Sequence, residues 1–332
     1  MTSTGPLDAD LVLEGGGVKG IALAGAVSVL EERGYRFHKV AGTSAGAIVG
    51  ALVSAGAPVK RLREIMDDLN YEEFRDRSLL GRLWMPGMVA EVLWHKGWCR
   101  GEYLRSWLAE KLREFGVETF AQLRLDDADA DPAQRDAPDL AYRFVAMASD
   151  VTHGELVRLP WSYRGRFGLD PDQMPVVDAV RASTAIPFYF QPERCPDRLN
   201  GGKETWLVDG GMLSNFPIDV FDRTDGIPPR WPTFGVKLSS RPTATHRTEV
   251  RGILSLSRAM IATMSGFYDQ LHVDRADVLA RTIFVDTDGV RATDFDLSAG
   301  KAEMLYERGR AAATTFLDGD ENQPGWNFAD YL

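Results

Sequence analysis

Two glycine-rich junctions near the start of the chain decide the fold: Leu11-Val-Leu-Glu-Gly-Gly-Gly-Val-Lys-Gly20 and Val40-Ala-Gly-Thr-Ser-Ala-Gly46. In the first, the apolar run Leu11 to Leu13 reads as a short buried strand entering Glu14 and three glycines. Gly20 to Arg33, rich in Ala, Val and Leu, then reads as a helix stopped by Gly34. In the second, Phe37 to Val40 reads as a strand and Ala45 to Ala55 as a helix closed by Gly56 and Pro58. Two strand–glycine–helix units within 57 residues predict an α/β architecture built on a parallel sheet.

Moving outward, residues 59–120 read as mainly helical, with turns near Gly81, Pro86 and Gly97. Ala141 to Met147, Leu156 to Leu159, Trp206 to Val208 and Thr233 to Leu238 read as strands, and Val176 to Ser183 as a helix. Residues 249–272 and 298–317 carry the spacing of amphipathic helices on the outside of the sheet. Asp127-x-Asp129-x-Asp131 has the opening spacing of a calcium loop. Pro132 stands where that loop needs Gly, however, and Pro138 where it needs Glu, so a solvated acidic loop is expected. No internal repeat or linker breaks the chain, and residues 1–332 are expected to form a single domain.

The 332 residues hold 38 Lys and Arg against 48 Asp and Glu, a net charge of −10. That balance argues against nucleic acid as a partner, because phosphate recognition needs clustered cations. Hydrophobic residues at 44% and charged residues at 26% exclude a mostly disordered chain. Cys99 and Cys195 make neither a disulfide framework nor a metal site by themselves. The first ten residues lack the basic n-region of a secretory signal, and the apolar stretch Ala45 to Ala57 falls short of a membrane span. The expectation is a soluble cytoplasmic protein whose contact with membranes is peripheral and transient.

Gly15-Gly-Gly-Val-Lys-Gly20 satisfies G-x-G-x-x-G between a strand and a helix. A phosphate loop would need Lys and Ser or Thr after the last glycine, where Ile21 and Ala22 stand. A dinucleotide site would need an acid at the end of the second strand, which ends Val40-Ala-Gly. Two readings stay open: a turn that aims backbone N–H groups at an anion near a helix N-terminus, and a tight turn that only packs helix on strand. Gly42-Thr-Ser-Ala-Gly46 is a G-x-S-x-G at a strand-to-helix junction, the context of a nucleophile elbow. The alternative is that Ser44 merely caps the following helix. A serine nucleophile needs a base. His38, His95, His153, His246 and His272 stand in no convincing triad context, whereas Asp209 ends a strand before Gly210 and Gly211. An acid before two glycines is also an ordinary turn signal.

Taken together, Gly15–Gly20, Gly42–Gly46 and Asp209–Gly211 resemble the patatin-like phospholipases in order, identity and spacing. Lys96 to Arg105 and the helix and Ser-x-Ala-x-Pro turn of Ala179 to Phe190 resemble that family too. The resemblance covers residues 8–222 as a core, with 223–332 completing the fold. It implies a three-layer α/β/α sandwich with a central, mostly parallel sheet. It also implies a serine–aspartate dyad, Ser44 as nucleophile and Asp209 as proton acceptor, with no histidine, metal or cofactor. Backbone N–H groups of Gly15, Gly16, Gly17 and Val18 would form the oxyanion hole, framed by the motif glycines Gly20, Gly42, Gly46, Gly210 and Gly211. Lys19 departs from the Arg often found in its slot.

The implied activity is hydrolysis of lipid acyl esters, of the phospholipase A or lysophospholipase type, through an acyl-enzyme. The alternatives are a general carboxylesterase, triglyceride lipase or thioesterase, and a phospholipase effector quiet until a ligand triggers it. Leu79 to Trp94, with Trp98 beyond, could be core packing or a mobile aromatic lid that meets lipid. Phe188-Tyr-Phe190 could line the same groove.

Overall fold

The computed structural model describes residues 7–69, 96–125, 138–239, 275–292, 294–321 and 324–328, together with Glu73, Ala259 and Thr263. Its strands are β1 (Leu7–Leu13), β2 (Tyr35–Thr43), β3 (Gly97–Cys99), β4 (Phe144–Asp150), β5 (Glu155–Leu159), β6 (Phe188–Phe190), β7 (Glu193–Asp197), β8 (Lys203–Asp209), β9 (Thr233–Lys237) and β10 (Thr282–Phe284). The helices are α1 (Gly20–Glu32), α2 (Ala45–Ser54), α3 (Val59–Asp67), α4 (Glu102–Glu114), α5 (Trp161–Phe167), α6 (Val176–Ser183), α7 (Ala276–Ala280) and α8 (Ala299–Asp318).

Eight strands form the central sheet, in the order β10-β9-β1-β2-β4-β8-β7 with β5 also paired to β4. β10, β9, β1, β2 and β4 run parallel, while β5 and β8 lie antiparallel to β4. The sheet is thus mixed where the sequence pattern alone pointed to a parallel one. β3 and β6 make a separate two-stranded ribbon. Among the described residues, no helix is long and apolar enough to cross a membrane.

Side chains alternate between the two faces of the sheet with the period of two that pleating imposes. Leu11, Leu13, Val40, Phe144, Ala146 and Ala148 join a core with the helices α1, α2, α4 and α6. Val12, Ala41, Val145 and Met147 face the other way, against Phe216, Ile218, Phe221 and Val278 of α7. Both faces are covered, which is why these strands read as continuous apolar runs. α1 is buried from Gly20 to Leu30, and α8 covers it: a Cβ on Gly309 would sit 2.0 Å from the Ala22 carbonyl oxygen.

One feature of the register positions the site. Residues 146–150 of β4 pair with β5 along one edge, so β2 and β8 must share the other. β2 ends at Thr43 opposite Met147, and β8 ends at Asp209 opposite the next residue, Ala148. The C-terminal ends of the two strands therefore meet head-on along β4. Ser44 and Asp209, separated by 165 positions in the chain, become neighbours.

The expected 298–317 helix is found as α8. The expected helix over 249–272, the aromatic stretch 79–94 and the acidic run 126–137 lie outside the described residues, apart from Ala259 and Thr263. β7 was not expected: Glu-Arg-Cys-Pro-Asp has too few apolar residues to read as a strand. It lies at the sheet edge, where charges and a proline protect against pairing with other chains.

Candidate active site

β2 delivers Ser44 on a turn that forces it to φ +51° and ψ −117°. A non-glycine residue in this region is strained by about 1–3 kcal/mol. Two close approaches make the turn: a Cβ on Gly42 would come 2.2 Å from the Gly46 carbonyl oxygen, and one on Gly46 would come 2.2 Å from that of Leu13. Only hydrogens fit at either position. Gly46→Ala accordingly lowers stability by about 1–3 kcal/mol, read as a drop in the denaturant midpoint; an unchanged midpoint would contradict the packing described.

The Ser44 side chain makes no capping bond to α2, so the helix-cap reading of this serine does not hold. Its hydroxyl instead lies beside the Asp209 carboxylate, close enough to favour that acid's ionised form. The Ser44 backbone N–H donates to Ser183 Oγ at 3.0 Å, and the Ser183 side chain is fully buried. Asp209 also accepts from the Gly211 N–H at 2.8 Å. Both members of the pair are only 7% exposed. Burial pushes the Asp209 carboxyl up to about 6, against the opposing effect of the Gly211 N–H and the neighbouring Ser44 hydroxyl. A carboxylate at that value is a stronger proton acceptor than an ordinary aspartate and is still ionised at neutral pH.

The glycine turn faces this pair, and its N–H groups divide into two sets. Gly15 donates to the Asn215 carbonyl at 3.1 Å and Val18 to the Ala292 carbonyl at 3.1 Å. Among the described residues, the N–H groups of Gly16 and Gly17 have no such acceptor. Of the four donors expected for an oxyanion, two are already engaged, and the candidates narrow to Gly16 and Gly17. Asn215 clamps the turn from the other side as well, donating its Nδ2 to the Gly15 carbonyl at 3.0 Å. Glu14, the last residue before the glycines, is buried against Lys237 Nζ at 2.5 Å and accepts the Leu238 N–H. Lys19 donates to Thr287 Oγ1 at 2.9 Å.

His38 lies in β2 toward the opposite end from Ser44, bonded to Asp8 at 2.8 Å and stacked on Trp231. His153 sits in the β4–β5 turn on Asp150; His95, His246 and His272 fall outside the described residues. One described group could offer three ligand atoms to a cation: Asp150, His153 and Glu155, within 4.8 Å of one another. Arg166 is bonded to Glu155 and lies 3.8 Å from Asp150, so the protein already supplies positive charge there. A small apolar cleft of about 40 Å³ opens beside Ser44, walled by Ile48, Leu104, Ile186, Phe190 and Phe295.

The patatin-like phospholipase family model matches residues 11–222. The chain belongs to that family. It is 35% identical over 308 residues to the uncharacterized protein YqhO of Bacillus subtilis, covering 93% of this chain and 97% of that one. It is 25% identical over 337 residues to a cGAMP-activated phospholipase of Pseudomonas aeruginosa, covering 95% and 90%. Among solved structures, VipD of Legionella pneumophila superposes with a TM-score of 0.51 at 16% identity, over 93% of this chain and 66% of that chain. That likeness supports the fold. Membership makes the chain one of a family of ester hydrolases.

The matched segment contains Ser44, Asp209, the glycine turn, Ser183 and Asn215. Ala292, Thr287 and Phe295, which touch the turn or the cleft, lie beyond it. Sequence reading assigned no role to Ser183, Asn215 or Phe295. Ser183 opens the Ser-x-Ala-x-Pro turn and so stood inside a recognisable motif, whereas Asn215 lies four residues past Gly211 and outside one. Phe295 carried no local signal.

Proposed function

We propose that the protein is a lipid acyl hydrolase that cleaves carboxylic esters through a Ser44–Asp209 dyad. The observation that carries this reading is the strained, uncapped Ser44 on its elbow beside the buried Asp209 carboxylate of raised pKa. In the first step Asp209 accepts the hydroxyl proton as Ser44 Oγ attacks the ester carbonyl. The N–H groups of Gly16 and Gly17 hold the resulting oxyanion; one such donor is typically worth about 10²–10³ in rate. Asp209 returns the proton to the departing alcohol, leaving an acyl-serine. A water molecule, deprotonated by Asp209, then attacks the acyl carbon, and Asp209 returns the proton to Ser44 Oγ as the carboxylic acid is released. Ser183 holds the serine amide in place through both steps. The described residues beyond 222 belong to the same unit, since β9 and β10 extend the sheet beside β1.

The preferred substrates are phospholipids or lysophospholipids, met from the cytoplasm during brief visits to membranes. A net charge of −10 works against lasting residence on an anionic surface. The test is fatty-acid release from phosphatidylcholine vesicles, lysophospholipid, triglyceride and short acyl esters, with Ser44→Ala alongside. Ser44-dependent release from the phospholipids supports the reading, and release from short esters alone replaces it with a general carboxylesterase.

A second reading has its own support. The nucleophile is nearly closed off, the cleft is small, and a relative of matching length is a cGAMP-activated phospholipase. A phospholipase opened by an activating ligand predicts silence in that panel until a cyclic dinucleotide is added.

A further inference from the structure

We propose that Phe295 sets the length of acyl chain that can reach Ser44; the proposal rests on the acyl-hydrolase reading and extends it to specificity. The cleft beside Ser44 holds about 40 Å³, well below the roughly 150 Å³ of an apolar cavity that accepts a benzene-sized ligand. A short acyl group fits, and a long one requires a wall to give way. Most of the wall is held by regular structure. Ala45 and Ile48 lie on α2, Leu104 on α4 and Phe190 on β6, all within the segment that matches the family.

Phe295 is different in kind. It comes from the irregular segment between β10 and α8, outside the matched residues, and its ring forms part of the cleft wall. The residue is 6% exposed, and its ring stacks on Tyr189 with centroids 5.2 Å apart and planes at 26°. Its backbone neighbourhood is anchored independently of the ring. The Ala292 carbonyl accepts the Val18 N–H, and a Cβ on Gly17 would meet that same oxygen at 2.0 Å. Thr287 takes Lys19 Nζ and donates to the Leu238 carbonyl. Trimming the Phe295 side chain therefore opens the cleft without removing a contact that holds the glycine turn.

The experiment compares p-nitrophenyl esters of acyl chains from two to sixteen carbons, in detergent micelles, for the unmodified protein, Phe295→Ala, Phe295→Leu and Phe295→Trp. Ser44→Ala sets the background, and circular dichroism confirms folding, with Leu replacing Ala where the smaller side chain loosens the protein. The expected result is a rise of about tenfold or more in the long-chain to short-chain ratio of kcat/KM for Ala or Leu, and a fall for Trp. Ser44-dependent hydrolysis with the same ratio in all variants overturns this proposal alone. Hydrolysis that survives Ser44→Ala, or none on any ester with or without an added cyclic dinucleotide, overturns the acyl-hydrolase reading and this proposal with it.

Discussion

Ser44→Ala lowers ester hydrolysis by about 10⁴-fold or more and leaves the protein folded. The two halves of this expectation have separate grounds. The hydroxyl is the attacking atom in the proposed chemistry, and among the described residues no other hydroxyl is delivered on the elbow at that point. The fold does not depend on it, because the side chain caps no helix and alanine bears the same φ of +51° at similar strain. The backbone N–H that bonds Ser183 is retained. Turnover measured beside a thermal melt separates the two effects. Activity within tenfold of the unmodified protein would remove Ser44 from the mechanism.

The second large effect concerns Asp209 and pH. As proton acceptor it must be ionised, and burial lifts its carboxyl to about 6. The profile of kcat/KM should therefore rise about tenfold per pH unit below that value and level off above it. Stability runs the other way. The folded-state value stands above the ordinary 3.8, so the group's favourable contribution is fully present below about pH 4. It is lost as pH rises through 6, where a charge must be held in the interior. Asp209→Asn removes that charge. The variant should be inactive yet more stable at pH 8, with a ceiling on the order of 3 kcal/mol, and the gain should vanish near pH 3. Denaturant midpoints of both proteins at pH 4, 6 and 8 check this. A stability difference that stays constant across the series would mean that Asp209 is not a buried carboxyl of raised pKa.

How far the sequence revealed this site follows from how local each feature is. Gly42 and Gly46 announce the elbow because a strand cannot turn into a helix there with side chains so close to the Leu13 and Gly46 carbonyls. That constraint is written in five consecutive residues. Asp209 was only one acid before two glycines until the register of β4 brought β8 end to end with β2. Spacing in the chain carries no information about which edge a strand joins. The division of the glycine turn was equally hidden. Gly15 and Val18 lose their N–H groups to Asn215 and Ala292, partners 200 and 274 positions further on. The sheet itself was legible from its apolar runs, but the antiparallel placement of β5 and β8 was not, since a short buried run reads the same in either direction. Phe295 lay furthest from view, a single aromatic in an irregular segment whose place beside Ser44 depends on the entire sheet.

The central claim is that Ser44 attacks and Asp209 takes its proton. A fluorophosphonate, which phosphonylates activated serines and expels fluoride, tests both halves at once when adducts are mapped by peptide mass spectrometry. The account predicts one adduct, on Ser44, forming at a rate that climbs with pH through about 6 and collapses in Asp209→Asn. An adduct on another serine, or labelling of Ser44 that is indifferent to Asp209→Asn, would contradict it.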